Sequence, residues 1–502
     1  MDAELHRKKK VLKYRVKTAE RRYCEKIILP LANGDEERYP SYFANYSKGL
    51  PHDDNGLVNP EAYQKLLKAI RKQKPKYYDE IPLGCAELKR YRIVNPQAGY
   101  GMDLEGSDAC ALVCKPFPRF DSQELAAEIV ENYWMALLRD VPFSDYATSP
   151  LVAKACTDLS KLQEFYGAKI NDVVTPETIF RTNMIGVLDG PYLSQFFFLN
   201  CNFGANKVEQ KIRTVTNKDF MTEYNEWLRI QKGCLPSEKL TYLPNTRYMI
   251  NARDFGEWDH IDVLYQGHLV AALILLGAKT PWKNTNCYVQ SNNQEGFATL
   301  GGPNLLNLVA EVATRALKTS WNSKWNVHRV LRPEVFAQRI DSTLQSRINF
   351  PVHEQALSSE AVKEVFSKYG NYLLPQAYPE GSPLHPSYTS GHATIAGACV
   401  TILKAWFEES HVIKNCMVPN EDGSSLVPYP GILTVGGELN KLAHNVAFGR
   451  NIAGVHWRTD ALEGLYLGEK LAISILQEQK ASYNEKFSGW RFTGFDGFER
   501  VI

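Results

Sequence analysis

A mainly α-helical fold is predicted by three features of this 502-residue sequence. Long segments carry apolar residues at the spacing of one helix face. Strand-like alternation is sparse. The composition, 44% hydrophobic and 23% charged, suits a globular chain rather than extended disorder. A prior of roughly 150 residues per domain allows about three domains, and one large helical domain fits the length as well. Such a chain can bury a large core without disulfide or metal staples.

Residues 1–50 are basic and rich in Tyr, and residues 51–125 read as loops with many Pro, Gly and Asp. Two helical patterns follow, around Ser122–Arg139 and Ser149–Tyr166. From about Thr175 to about residue 480, long amphipathic segments dominate, with no internal repeat. A helix is expected from about Asn304 to Leu331, with Leu305, Leu308, Val309, Val312 and Ala316 on its apolar stripe and Pro333 ending it. A second starts at Ser390 with the stripe Ile395, Cys399, Ile402 and Trp406. A third starts near His456 and runs through Leu462, Leu465, Tyr466, Ile473 and Leu476. The Pro- and Tyr-rich run LLPQAYPEGSPLHPSY connects the first two.

The charges nearly cancel: 58 Lys+Arg against 56 Asp+Glu leave +2, with 11 His counted neutral. That argues against a polybasic nucleic-acid binder or a membrane-surface protein. Met1 to Lys17 contains HRKKK and no apolar run, unlike a secretory signal. The longest apolar stretch, Leu269–Leu276, is too short to span a bilayer. Nucleic-acid and membrane partners are therefore not expected, and the cytoplasm is the default compartment. The 10 Cys form no CxxC, so reduced, mostly buried thiols are expected. Cys110 and Cys114 would share a helix face, but no His/Cys cluster lies nearby to make a zinc site.

Three short stretches carry chemistry. Lys324 and Arg332 stand eight residues apart on the predicted helix, about 12 Å along its axis and about 80° around it, so their heads could converge on one anion. Trp321, Trp325, Val327, Val330 and Leu331 make this helix end apolar, where cations are costly unless paired. Ser390-Gly391-His392 opens the second helix. Ser caps it, Gly admits an anion to the backbone, and free amides add partial positive charge. GRNIAGVHWRTD supplies Arg450 and His456, bent by Gly449 and Gly454, with Asp460 four residues on to fix the imidazole tautomer. Read singly, each stretch is also compatible with solvated charges, an ordinary cap and packed histidines. Together they form an anion cage with a candidate nucleophile or ligand, His456, and a candidate acid–base, His392. No carboxylate cluster for a hard cation is expected beside them. Phosphate loop, GxSxG and dinucleotide signatures are missing from the sequence. The target is a tetrahedral oxyanion, phosphate or vanadate.

KWNVHRVLRPE, HPSYTSGHA and GRNIAGVHWRTD resemble the three motifs of vanadium-dependent haloperoxidases, within the wider acid phosphatase superfamily. GPYLSQFFF, RDFGEWDHIDVLYQGHL and GFATLGGPNLLNLVAEVATRAL resemble the algal bromoperoxidase branch, so the likeness covers about residues 180–480. Seven residues separate Lys324 from Arg332, as in the algal type, where phosphatases and fungal chloroperoxidases have one fewer. His385 precedes His392 by seven, where the fungal enzymes place an aromatic. Thr389 stands before the serine where the short superfamily motif has Pro.

The resemblance implies two four-helix bundles with the vanadate site at the end of one. It implies an N-terminal extension over 1–120 that makes subunit contacts, and a helical domain over 121–502 with the active site within 320–460. Lys324, Arg332, Ser390, Gly391 and Arg450 would hold the equatorial vanadate oxygens, with His456 the axial vanadium ligand. His392 would hydrogen-bond the apical oxygen and act as acid–base, Lys324 would polarise the peroxide, and His385 would tune halide preference or protonation. The implied activity is oxidation of bromide and iodide by hydrogen peroxide to hypohalous acid, which halogenates small organic acceptors. A homo-oligomer, up to a dodecamer, and a structural calcium, with Gln290–Glu295 as one loop for it, are further implications. The same cage would also serve a phosphatase with His456 as nucleophile and His392 protonating the leaving group. A non-catalytic oxyanion-binding protein is the third reading, though pure anion binding needs neither imidazole. Of the other histidines, His328 reads as structural, His444 as packing, and His260 and His268 as satisfied core residues.

Overall fold

A computed structural model describes residues 2–26 and 28–502. Helices of eight residues or more among them are, in chain order, α1 (Asp2–Tyr23), α2 (Pro60–Lys72), α3 (Gln123–Leu137), α4 (Pro150–Lys161), α5 (Tyr224–Gln231), α6 (Ala252–Ile261), α7 (Gln266–Gly277), α8 (Gly302–Trp321), α9 (Pro333–Leu344), α10 (Glu360–Tyr369), α11 (Gly391–Trp406), α12 (Val435–Ile452) and α13 (Arg458–Ser482). The strands described are short and pair as isolated two-stranded antiparallel ribbons. The fold is therefore mainly α, as the periodicity predicts.

Two helix groups build the body. One packs α3 against α4, α9 and α10. The other packs α8, α11, α12 and α13, with α11 at its centre buried throughout except at His392. The α11–α13 crossing is close because glycines face it: a Cβ at Gly397 would lie 2.2 Å from Leu465 O, and one at Gly468 2.0 Å from Thr394 O. Tight backbone contact at this point sets the first turn of α11 beside the first turn of α13. Ser390 N donates to Asp460 O at 3.2 Å there.

Helix starts follow their caps. Ser122 Oγ accepts from Leu125 N, Ser149 Oγ from Val152 N, and Ser390 Oγ from Ala393 N, each satisfying an orphan amide. Other expectations change. The predicted helix Asn304–Leu331 stops being α-helical at Trp321, continues as a wider π-helical turn over Asn322–His328, and breaks at Arg329, whose φ is +43°. Lys324 and Arg332 thus do not share one helix. Arg332 precedes Pro333, which disfavours helical geometry, and it sits extended as the cap of α9. The third helix begins at Arg458, so His456 lies in the turn before it. Gly449 is inside α12, and only Gly454, at φ +88°, bends the segment.

The stretch 51–125 is not all loop: it contains α2, whose Tyr63, Leu66 and Ile70 form a second small core with Tyr46, Leu50 and Trp325. Nor is the region after Thr175 all helix, since residues 201–215 are short strands and loops. Cys85 and Cys234 form a disulfide that ties this N-terminal wrap to the end of α5, against the expectation of reduced thiols. The two lie 149 residues apart, so no local spacing announces the bond. Cys110 is exposed in a short 3-10 turn and shares no helix with Cys114. The apolar run Leu269–Leu276 packs within α7.

Candidate active site

The connection between α10 and α11 brings the predicted residues together. Arg332 is fully buried. Its Nε donates to His385 O at 3.1 Å, its Nη1 to Val455 O at 2.7 Å, and its Nη2 to His385 O at 2.9 Å and Pro386 O at 3.3 Å. Nη1 also lies 2.9 Å from His456 Nε2, and Nη2 3.0 Å from His385 Nδ1. One guanidinium therefore spans both imidazoles. Lys324, also fully buried, donates from Nζ to Pro386 O at 2.9 Å and Ser387 O at 2.6 Å. The π-helical turn aims it at this loop instead of along the α8 stripe.

His456 is held from behind. Its Nδ1 lies 2.6 Å from Asp460 Oδ2, which also accepts from Trp457 N at 3.1 Å and from the Ser387 hydroxyl. A carboxylate on Nδ1 fixes the proton there and leaves the Nε2 lone pair facing the cage. Burial, then Arg332, Lys324 and Arg450, holds the His456 pKa well below the usual imidazole range, so the ring is neutral. His385 is neutral for the same reasons, burial first and then Lys324 and Arg332. Its ring lies 4.7 Å from that of Trp321. Burial lowers Arg332 to about 10 and Lys324 well below the ordinary ammonium range, with Arg332 adding to the effect on Lys324.

The first turn of α11 completes one side. Ser390 caps it, and the amides of a first turn have no carbonyl behind them. A Cβ at Gly391 would meet the Trp321 ring at 3.5 Å, so the indole lies over this backbone. His392 is half-buried and places Nε2 3.0 Å from Asp262 Oδ1 and 3.9 Å from Asp259 Oδ1. Arg450, at the end of α12, donates from Nη1 to Asp259 O at 3.2 Å and lies over the Tyr378 ring at 5.4 Å. Its Nε has no hydrogen-bond partner, and neither do the two carboxylate oxygens of buried Asp259. Burial raises Asp259 to about 7, opposed by His392 and Arg450.

Asp259 and Asp262 correct the expectation that no carboxylates attend the cage. They arrive from α6 and the residue after it, about 130 positions before His392, inside a segment whose histidine drew attention instead. Ser387 stands in HPSYTSGHA, yet nothing local marks a Ser that reaches a His 69 residues away. His260 is satisfied on both nitrogens, as expected, but is only partly buried. It lies between Glu257 and Glu380, at 3.3 and 2.7 Å, and is raised to about 9 by those two hydrogen bonds against the effect of burial. His268 is buried with no partner on either nitrogen. His328 is buried at the edge of Tyr388, and His444 packs on Phe448, both as expected.

The chemistry of the donor set is that of an oxyanion site. Among the described residues, Lys324 and Arg332 make no ion pair; every partner they have is a carbonyl or an imidazole. Buried cations are costly, and with the Asp460 carboxylate acting on both only from a distance, a bound tetrahedral anion would relieve them further. A neutral imidazole lone pair at the same point adds one position for a metal or an electrophile.

Comparison with known proteins agrees. A family model described as the VCPO second helical-bundle domain matches residues 306–485, the α8–α13 group. The vanadium-dependent bromoperoxidase of Corallina officinalis is 35% identical over 96% of this chain and 96% of its own. That of Ascophyllum nodosum is 34% identical over 90% of this chain and 85% of its own. The solved homohexameric structure of a second vanadate-dependent bromoperoxidase from Ascophyllum nodosum, AnII, superposes with a TM-score of 0.93 at 32% identity, covering 98% of this chain and 90% of that one.

Proposed function

The chain belongs to the vanadium-dependent bromoperoxidases, and on that premise we propose that its cage binds vanadate and oxidises bromide, and iodide, with hydrogen peroxide. The reaction balances as hydrogen peroxide plus bromide plus one proton giving hypobromous acid and water. Bromide loses two electrons and the O–O bond breaks. Hypobromous acid then halogenates small organic acceptors. The observation that carries the reading is the buried pair Lys324 and Arg332, neither in an ion pair, beside the neutral His456 imidazole that Arg332 touches.

In this proposal Lys324, Arg332 and Arg450 offset the charge of vanadate, Ser390 and the Gly391 amide donate to it, and His456 Nε2 is its protein ligand. When bound, vanadate supplies a Lewis acid that activates hydrogen peroxide. Asp460 and Ser387 hold the His456 ring so that Nε2 faces inward. With Nε2 of His392 committed to Asp262, the nitrogen left to take a proton from hydrogen peroxide is Nδ1. Lys324 Nζ would donate a hydrogen bond to the activated oxygen that bromide meets. Neutral His385, beside Trp321 and Arg332, tunes the halide position.

Peroxide-dependent bromination of a dione by the vanadate-loaded protein tests this, run beside nitrophenyl phosphate hydrolysis by vanadate-free protein. Bromination is expected, and hydrolysis without bromination would make the protein a phosphatase. His392→Ala is expected to bind vanadate and lose bromination; full bromination by that variant would remove His392 from the mechanism.

The proposal extends to assembly. The protein forms a homo-oligomer, the relative in hand being a homohexamer, and a dodecamer is the larger state to test by sedimentation. Residues 1–120 supply its contacts, with α1 presenting exposed Leu5, Leu12 and Val16. A calcium ion at Gln290–Glu295 would find one carboxylate, Glu295, and amide oxygens.

A further inference from the structure

Lys48 belongs to the N-terminal wrap, which carries none of the site motifs, yet it ends beneath the active-site loop. It is 1% exposed, and its Nζ lies 2.7 Å from Glu334 Oε1, itself on a residue 1% exposed. The same Nζ donates to Glu380 O at 2.8 Å and Ser382 O at 2.6 Å. Glu334 in turn accepts from Ser382 N at 2.8 Å, from Ser382 Oγ at 2.7 Å and from Gln231 Nε2 at 2.9 Å. Gly381 lets the chain pass this close: its φ is +60°, and a Cβ there would lie 2.5 Å from Glu334 Oε2.

This buried pair therefore grips residues 380–382 by both carbonyls and amide. Three residues later the same loop becomes the floor of the cage. The carbonyls of His385, Pro386 and Ser387 take the hydrogen bonds of Arg332 and Lys324. Glu334 is also two residues after Arg332, in the first turn of α9. The two faces of the loop are thus fixed by one cluster. The wrap is itself anchored behind it: Gly49 N donates to Gln231 O, Gly84 N to Gly49 O, and the Cys85–Cys234 disulfide closes the same corner.

We infer that Lys48 and Glu334 are positioning residues for the oxyanion cage, acting through the 380–387 loop on Lys324, Arg332 and His385. Neither touches the anion. A buried ion pair of this kind is a weak source of stability, since hydrophobic replacements of both partners are often neutral. What it provides is a unique loop geometry, and partners behind metal or anion ligands commonly matter about as much as the ligands do.

The inference rests on the proposed vanadate site, and vanadate binding is its readout, measured by dialysis of vanadate into metal-free protein with bound vanadium quantified. Lys48→Met and isosteric Glu334→Gln are each expected to weaken vanadate affinity about tenfold or more. The double variant is expected to be no weaker than the worse single one, because both act through one loop. Lys441→Met is the control. It breaks an equally buried pair with Glu438, about 13 Å along α12 from Arg450. It is expected to lower stability and leave vanadate affinity unchanged. Should Lys48→Met fail to fold, Glu334→Gln decides alone. A folded Glu334→Gln protein with the parent's vanadate affinity would overturn the inference, as would an equal loss of affinity in Lys441→Met. Bromination by the parent, measured separately, judges the proposed function.

Discussion

His456 shows how one side chain acquires a role from its neighbours. An isolated imidazole offers either nitrogen; here Asp460 takes Nδ1–H at 2.6 Å, so Nε2 is left with a lone pair in a pocket of cations. The same Asp also accepts from Ser387 and from the Trp457 amide, which is why it can hold the ring in one orientation. Asp460→Asn is expected to weaken vanadate binding by about 10- to 100-fold while the fold persists, because an amide cannot fix that tautomer as a carboxylate does. Unchanged affinity in vanadate titrations would show that the ring is oriented by packing alone. The pair His456–Asp460 was legible from a four-residue spacing. Asp259 and Asp262 were not, because their partner His392 is about 130 residues away and nothing in their own segment signals it.

At the scale of elements, the site depends on where helices stop. Ser390, Arg332 and Trp457 are all caps, so each functional group projects from a helix end where backbone amides or carbonyls are unsatisfied. Ser390 announced itself by type and position. The π-helical turn at Asn322–His328 did not, since apolar periodicity continued through it and only its wider winding separates Lys324 from the α8 stripe. The α11–α13 contact makes a second element-scale prediction. Gly468→Ala places a methyl against Thr394 O and Ala398 N. The helices must part, costing on the order of 1–3 kcal/mol, and Ser390 then separates from Asp460. Urea unfolding should show the loss, and vanadate affinity should fall with it. A folded but less stable variant with lower affinity fits this account; full affinity in a destabilised variant would uncouple the crossing from the site.

Over the whole molecule, buried neutral histidines set acid sensitivity. Burial lowers His52 and His268 to about 4 and His328 to about 3. In the unfolded chain each would take up a proton near 6.5. Between those values the unfolded state binds more protons, so stability rises with pH in that window and drains away as pH falls from about 6.5 toward 4. His52 and His268 each amount to about 3 kcal/mol and His328 to about 5 kcal/mol at the acid end, enough together to unfold the protein. His260 has the opposite sign: raised to about 9, it contributes fully below 6.5 and loses that contribution as pH climbs toward 9. Urea midpoints are expected to drop steeply between pH 7 and 5. His268→Leu should flatten that slope at little cost at pH 7, because neither ring nitrogen has a partner to lose. An unaltered slope would assign acid sensitivity elsewhere.

From its residues alone the chain declared a mainly helical body, the cap that begins α11, and the candidate cage residues Lys324, Arg332, Ser390, Gly391, His392, Arg450 and His456. Those features are local: a stripe, a cap or a motif lies within a few turns of chain, and short-range geometry decides it. Tertiary structure alone decided that Lys48 and Glu334 brace the loop, that Asp259 and Asp262 face His392, that Cys85 bonds Cys234, and that Lys324 leaves the helix stripe. Each of the first three joins residues more than 100 positions apart. Such contacts arise only when packed helices carry them to the same place, and no local pattern in the chain records that encounter.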